Sequence, residues 1–326
     1  MDSILGIPRL RHLWTRLTQG RTTPGATAAS EGWDLDNTLL GGLGIGLFET
    51  MRYVYAEAPS FEEFERWILE ANGGAIAPER IARLKAALAG ELPPGGPLPE
   101  PALSASDLAF FEEHGYVILH DAVPPEVFTA AERAIWKAVG ADPGRPDTWY
   151  RGPQGHSIWV PLLRHPALNA ARESRRIVAA FSQLWGRSDL WPTIDQTGFN
   201  PPEREGWRFP GPHLHWDMSL QQPIHFGLQG ILYLTDTEPE QGAFTCIPGF
   251  HRRIEEWLAA LPPDADPRLV DLRPLGPVPI AGRAGDLIIW HNALPHGSSP
   301  NRTRKPRIVQ YLTLRPTTWP YARQWK

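Results

Sequence analysis

The sequence predicts an α+β protein: a helical front, and a β-rich back half with the spacing of a sandwich or jelly roll. Three observations carry this. Helical periodicity runs through the first third of the chain. From Leu190 onward come short β-type runs separated by Pro, Gly and Asn. Pro (35) and Gly (30) exceed ordinary usage, so the chain turns often.

Taken in order, residues 1–32 read as a flexible tail, whose first part (Met1 to Leu17) is floppy or docking. Met1 to Leu17 carries several arginines but no apolar signal core or small-residue cleavage site, and RTTPGATAAS (21–30) reads as a mobile lead-in. Residues 33–89 form a helical extension. Ser60-Phe-Glu-Glu resembles an N-cap with its capping box, Phe64, Trp67 and Ile68 follow at helical spacing, and Gly73-Gly74 ends the helix. Pro78 opens the next helix from its first turn. A substrate lid, a dimer contact and plain packing all remain open as roles for this segment.

Residues 90–103 are Pro/Gly-rich and read as a linker to a main domain over 104–326. That domain opens with a helix from Ser104 to His114 and the short apolar strand Gly115-Tyr-Val-Ile-Leu. Pro124-Pro125 starts a second helix through Val139, and a mixed helical stretch reaches Trp185. The expected strands then run Ile194 to Phe199, Leu214 to Leu220, Gly230 to Thr235, Phe244 to Ile247, Asp286 to Trp290 and Arg307 to Leu314.

Composition narrows the function. With 326 residues there is room for one large domain plus an appendage, and 42% hydrophobic content is enough for a core. A net charge of −4 leaves no basic footprint for nucleic acid. Cys246 is the one cysteine, which excludes an intrachain disulfide framework and cysteine-rich metal sites and fits a reducing cytoplasm. No apolar run approaches the length of a membrane span. The partner to expect is a small organic substrate; oligomeric state is open.

The chemistry concentrates in Gly211-Pro-His-Leu-His-Trp-Asp-Met-Ser. On a strand, residues two apart share a face at roughly 6.5–7 Å of rise, so His213, His215 and Asp217 would project together. A third ligand must come from elsewhere. His296 follows a strand within Gly285-Asp-Leu-Ile-Ile-Trp-His-Asn-Ala-Leu-Pro-His-Gly-Ser-Ser-Pro-Asn. Two histidines and one carboxylate leave three adjacent coordination positions open, the arrangement non-haem Fe(II) oxygenases use. Arg307, eleven residues on, offers a planar fork that matches a carboxylate.

These residues resemble the phytanoyl-CoA dioxygenase family of Fe(II)/2-oxoglutarate oxygenases, over about residues 105–326. Phe111-Glu-Glu-His-Gly-Tyr-Val-Ile-Leu resembles the family's opening helix and strand, and His215-Trp-Asp217 its H-x-D. Glu240 through His251 resembles its PGSH turn, with Phe250 where serine is commoner; Gly285 through Asn301 resembles its GD…HGSGPN block. The resemblance implies a cupin-like double-stranded β-helix with flanking helices. It implies Fe(II) on His215, Asp217 and His296, with His215 preferred to His213 because the H-x-D context matches. It further implies 2-oxoglutarate and O2 as co-substrates, the distal carboxylate of the keto acid on Arg307 and Ser298, and Asn200 near the keto-acid end. The expected reaction is hydroxylation of a C–H bond with release of succinate and CO2.

Two alternatives stand beside it: a cupin-like metal enzyme that needs no keto acid, and a catalytically silent barrel. Arg307 and Ser298 speak against the first, the intact ligand set against the second. Trp149, Tyr150 and Trp216 are the candidate substrate-pocket residues, although packing is the default for any one of fourteen tryptophans. His251 and Asp286 are expected to fix turns, and His225, Trp290 and His291 to pack or form a rim.

Overall fold

The computed structural model describes residues 3–20, 32–92, 97–150, 158–322 and 324–326. The lead-in at 21–30 and the Pro-Pro-Gly-Gly of the linker (93–96) therefore lie outside the described residues.

Five helices come first: α1 Pro8–Gly20, α2 Trp33–Leu43, α3 Leu47–Glu57, α4 Phe61–Ala71 and α5 Pro78–Leu88. α1 corrects the expectation of a flexible tail. Leu10, Leu13 and Leu17 recur at i, i+3 and i+7 and are buried, a narrow apolar stripe among arginines. Two of those arginines also point inward, Arg9 (2.8 Å) and Arg16 both pairing with the buried Asp36 of α2. α4 begins as read, with Ser60 and Glu63 forming the reciprocal capping box, and α5 has Pro78 in its first turn.

The extension is docked, not appended. Its apolar cluster includes Trp191 of the back half, with Arg83 stacked 4.1 Å over that ring. Thr38 Oγ1 donates to Thr317 O (3.0 Å), Arg83 Nη2 to Leu190 O (2.9 Å) and Arg164 Nη2 to Glu49 Oε2 (2.9 Å). A Cβ on Gly41 would collide with the carbonyl of Pro192, so the contact needs glycine there. Within the expected linker, Leu103 is buried, and the N–H groups of Ala102 and Leu103 donate to Gln183 Oε1.

The rest alternates helices and strands: α6 Ala105–His114, β1 Tyr116–Leu119, α7 Pro125–Val139, β2 Trp159–Val160, α8 Pro166–Arg172, α9 Arg175–Trp185, β3 Leu190–Pro192, β4 Thr197–Asn200, β5 Leu228–Tyr233, β6 Phe244–Cys246, α10 Ile254–Ala260, β7 Val278–Ile280, β8 Leu287–His291, β9 His296–Ser298, β10 Arg307–Tyr311 and β11 Leu314–Pro316. A large antiparallel sheet has the order β1-β8-β5-β10-β4-β2, a smaller one the order β7-β6-β9, and β11 pairs with β3.

Strand alternation sorts the core into two layers. Leu232, Leu287, Ile289, Ile308 and Leu312 face the helices, meeting Ile135, Ile177 and Phe181. Ile231, Tyr233, Ile288, Trp290 and Val309 face the other way and pack on Phe244, Cys246 and Ile280 of the small sheet. The site lies in that second space, between the sheets.

The segment Leu214 to Leu220 is not the expected strand. Only His215 pairs, in an isolated bridge with His296 (N–H to O 2.9 and 3.0 Å). Beyond it, Arg268 donates to Trp216 O (2.9 Å) and Met218 O (2.6 Å), so these carbonyls bond to a side chain where a ladder would have used a neighbouring strand. The expected strand Arg307 to Leu314 is also broken. Thr313 O accepts from Thr193 N–H (2.8 Å), which carries the chain out of the large sheet to β3.

Candidate metal centre

His215, Asp217 and His296 offer ligand atoms that all lie within 4.8 Å of one another. The His215–His296 bridge brings the two histidines together, and it needs glycine at 297: a Cβ there would stand 2.6 Å from His213 O. Each imidazole is oriented by its far nitrogen. His215 Nδ1 meets His213 O (2.7 Å) and His296 Nδ1 meets Leu294 O (3.0 Å). With both Nδ1–H groups donated to carbonyls, both Nε2 atoms turn to Asp217, at 3.2 Å from Oδ1 and Oδ2 respectively. Backbone acceptors that fix the tautomer in this way are the usual support of metal-binding histidines.

Electrostatics agree with a cation site. Burial pushes the Asp217 carboxyl up, but the two imidazoles outweigh it and hold Asp217 well below the usual carboxylate range. Burial pushes His215 down, yet the hydrogen bond and charge of Asp217 raise it above an ordinary histidine. A carboxylate between two imidazole nitrogens is the donor set that suits a divalent first-row metal. Asp217 still has 51% of its side-chain surface open, because it borders a cleft.

His213, which the strand reading put on the same face, is not in the trio. Its ring packs edge-on against Phe209 (5.5 Å), and it contributes its carbonyl to His215.

Arg307, Ser298 and Asn200 come together behind the metal ligands. Arg307 is fully buried, and its Nη1 donates to Ser298 Oγ (3.1 Å). Its Nε and Nη2 are buried with no partner. Asn200 stands directly opposite Arg307 in the β4–β10 register, hence on the same face. Its Nδ2 donates to Ser299 O (3.2 Å), while its Oδ1 is buried and unpartnered. An uncompensated guanidinium with two unpartnered nitrogens is costly inside a protein. A carboxylate placed there would satisfy it, so the arrangement fits the distal end of a keto acid.

The expected substrate-pocket residues are elsewhere. Trp149 is core: its Nε1 donates to Asp142 O (2.8 Å), and it packs on Trp136. Trp216 is buried against Phe250 and Trp257 with its Nε1 on Ala293 O, facing away from the site that its neighbours build. Tyr150 bonds Pro202 O and lies under Arg204. None of the three borders the cleft beside Asp217. That cleft is walled instead by Trp185, Phe226, Trp319 and Trp325, with Trp33 of the extension on its edge. Trp33 is placed by the Tyr321 hydroxyl, which accepts from the N–H groups of Gly32 and Trp33 (3.0 Å each).

Gln229 and Arg268 were missed as supporting residues. Gln229 Nε2 donates to Asp217 Oδ2 (2.8 Å). Its parity with Ile231 and Tyr233 would have pointed it inward, had the expected strand begun one residue sooner. Arg268 holds the carbonyls on either side of Asp217 from a loop fifty residues away, and no pattern announces it. Of the turn-fixing residues, Asp286 accepts from Arg283 N–H (2.9 Å), and His251 Nε2 meets Glu112 O (3.2 Å). Trp290 packs beside His296, and His225 borders the cleft.

Comparison with known proteins gives these features a context. A family model described as phytanoyl-CoA dioxygenase (PhyH) matches residues 111–309. Dioxygenase lolE1 of Epichloe uncinata is 25% identical over 233 residues, covering 66% of this chain and 84% of that protein. A Dictyostelium discoideum protein carrying the phytanoyl-CoA dioxygenase name is 29% identical over 98 residues, a match that spans only 28% of this chain and 28% of that relative. Among solved structures, iron-bound EctD from S. alaskensis superposes with a TM-score of 0.50 at 21% identity, over 69% of this chain and 81% of that one, and shares the cupin-like fold. Proteins of the matched family use Fe(II), 2-oxoglutarate and O2. The family match takes in more than half of the chain, including both H-x-D and Arg307, and the chain belongs to the phytanoyl-CoA dioxygenase family.

Proposed function

We propose that this chain is an Fe(II)- and 2-oxoglutarate-dependent dioxygenase that hydroxylates a C–H bond of a small organic substrate, on a double-stranded β-helix formed by the two facing sheets. The observation that carries the reading is the buried, half-satisfied guanidinium of Arg307. Ser298, which holds it, lies two residues beyond His296 on one strand, so a short dicarboxylate can span from the metal ligands to the arginine.

His215, Asp217 and His296 would hold Fe(II). Gln229 and Arg268 keep Asp217 aimed, and the Nδ1 bonds keep both imidazoles aimed. Arg307 and Ser298 would bind the distal carboxylate of 2-oxoglutarate, with Asn200 beside them. Trp290 and Phe244, 5.0 and 6.2 Å from the His296 ring, exclude water from the inner side of the site. Fe(II) held by these three residues would supply the chemistry that couples oxidative decarboxylation of the keto acid, to succinate and CO2, to insertion of one oxygen atom of O2 into the substrate C–H bond. No feature in the site favours the keto-acid-free metal enzyme, which would leave Arg307 unexplained.

The test is aerobic incubation with Fe(II), 2-oxoglutarate and a library of small metabolites, scoring succinate above the substrate-free background and an added oxygen in the product. Succinate formation that persists in His296→Ala, or no succinate from wild type together with no absorbance change when 2-oxoglutarate meets the iron-loaded protein, would refute the proposal.

A further inference from the structure

The cleft beside Asp217 holds a charge that the metal and keto-acid sites do not use. Arg315 sits on β11 opposite Trp191 and lines that cleft. Among the described residues, no hydrogen-bond or ion-pair partner takes its guanidinium, which lies 5.4 Å from the centre of the Trp319 ring. The guanidinium is partly open to the cleft yet surrounded closely enough that desolvation lowers its pKa, with the attraction of Asp195 and Asp217 a smaller opposing effect. Arginine does not give up its proton in a protein, so the site stays cationic and awaits an anion. Around it stand the rings of Trp185, Phe226, Trp319 and Trp325.

Resting on the dioxygenase reading above, which makes the occupant of this cleft the substrate, we propose that the substrate is a monocarboxylate with an aromatic or other flat apolar body. Arg315 forks the carboxylate, and the tryptophan walls take the body. A single cation balances a single negative charge. A phosphate dianion would bring a second charge toward Asp217 on the same wall, with no other lysine or arginine among the described residues that line the cleft.

The experiment is calorimetric titration of the full chain, anaerobic and supplied with Fe(II) and 2-oxoglutarate, using three phenyl-bearing probes: 3-phenylpropionate, its isosteric neutral amide 3-phenylpropanamide, and phenyl phosphate. In wild type the acid should bind about tenfold to a hundredfold tighter than the amide, the worth of hydrogen bonds to an ionised group. Arg315→Gln should erase that preference and Arg315→Lys should restore part of it. Equal affinities, no binding of either probe, or a preference unchanged in Arg315→Gln would overturn the assignment. Tighter binding of phenyl phosphate would overturn the choice of carboxylate. The absorbance band of iron-bound 2-oxoglutarate is read in the same samples. Its loss in Arg315→Gln would show that Arg315 serves the keto acid and would sink the proposal. A wild type with no such band would defeat the dioxygenase reading alone, while the acid-to-amide ratio still decides whether Arg315 selects a carboxylate.

Discussion

Replacing Arg307 with methionine separates two energies that have opposite signs. In the ligand-free protein, Arg307 is a fully buried cation with one hydrogen bond, to Ser298, and two unpartnered nitrogens. An apolar side chain of similar length removes that uncompensated charge, so stability without ligand should hold or rise, by up to about 4 kcal/mol. The co-substrate complex responds the other way. Losing one partner of a buried charge pair costs about 3–5 kcal/mol, which at about 1.4 kcal/mol per decade is on the order of a hundred- to a few-thousand-fold weaker 2-oxoglutarate binding. Iron affinity should hardly change, because Arg307 is not a ligand. Two assays read this: anaerobic titration of the metal-to-ligand charge-transfer absorbance, and thermal melting with and without 2-oxoglutarate. At one hundred times its Kd the co-substrate adds about 2.7 kcal/mol to wild type, roughly 5 °C of melting temperature, and that increment should vanish in the variant. An unchanged Kd, or a ligand-free melting temperature that falls by several degrees, would show that Arg307 is a structural residue whose charge is already compensated.

Other perturbations test the remaining parts of the site. His215→Ala, Asp217→Ala and His296→Ala should each lose stoichiometric iron while keeping the wild-type circular dichroism, and His213→Ala should keep its iron; the reverse outcome for His213 and His215 would exchange their roles. Gln229→Leu removes the bond that aims Asp217 and should weaken Fe(II) binding by about 10–100-fold with little change in melting temperature; unaltered affinity would make Gln229 a bystander. His291 is half-buried with Nδ1 accepting from Ala293 N–H (3.0 Å), and desolvation, helped by neighbouring His251, lowers its pKa to about 3. The unfolded chain therefore binds this proton first, so stability should be full above about pH 6.5 and fall by about 1.4 kcal/mol per unit as pH drops toward 3, a slope that His291→Asn should reduce and that urea titrations across that range would measure. A chain beginning at Pro101 uncovers Trp191 and takes Trp33 from the cleft, so it should melt lower or aggregate; equal melting and solubility would show that the extension is dispensable.

How far these features could be read from the sequence depended on how local their causes are. The helix starts at Ser60, Pro78 and Ser104 were legible because each depends on residues within one turn. The clustering of His215, Asp217 and His296 was legible because H-x-D and the distant His-Gly-Ser carry their chemistry in residue type and spacing. The strand expected at 214–220 failed because Arg268, which takes its carbonyls, is remote in sequence. Trp149 and Trp216 were misplaced because tryptophan has the same pattern in a core as on a cleft wall, and only the direction of each ring separates the two. α1 was missed because three leucines among many arginines look like a solvated tail until the partner is known, and that partner includes a buried carboxylate on α2.

Of the three candidate ligands, Asp217 has the least secondary structure around it, and that shapes how the proposed site must work. His296 is on a strand and His215 in a bridge to it, so the ladder positions both. Asp217 has no such support; one side-chain amide holds its carboxylate and one guanidinium holds the carbonyls on either side. This arrangement leaves the cleft-facing side of Asp217 open to a substrate, which a continued strand would have closed off. It also makes metal geometry depend on two residues that contribute little to the apolar core. Metal affinity and fold stability should therefore be separable at Gln229 and Arg268 but not at the glycine between His296 and Ser298, where any side chain would push the two histidines apart.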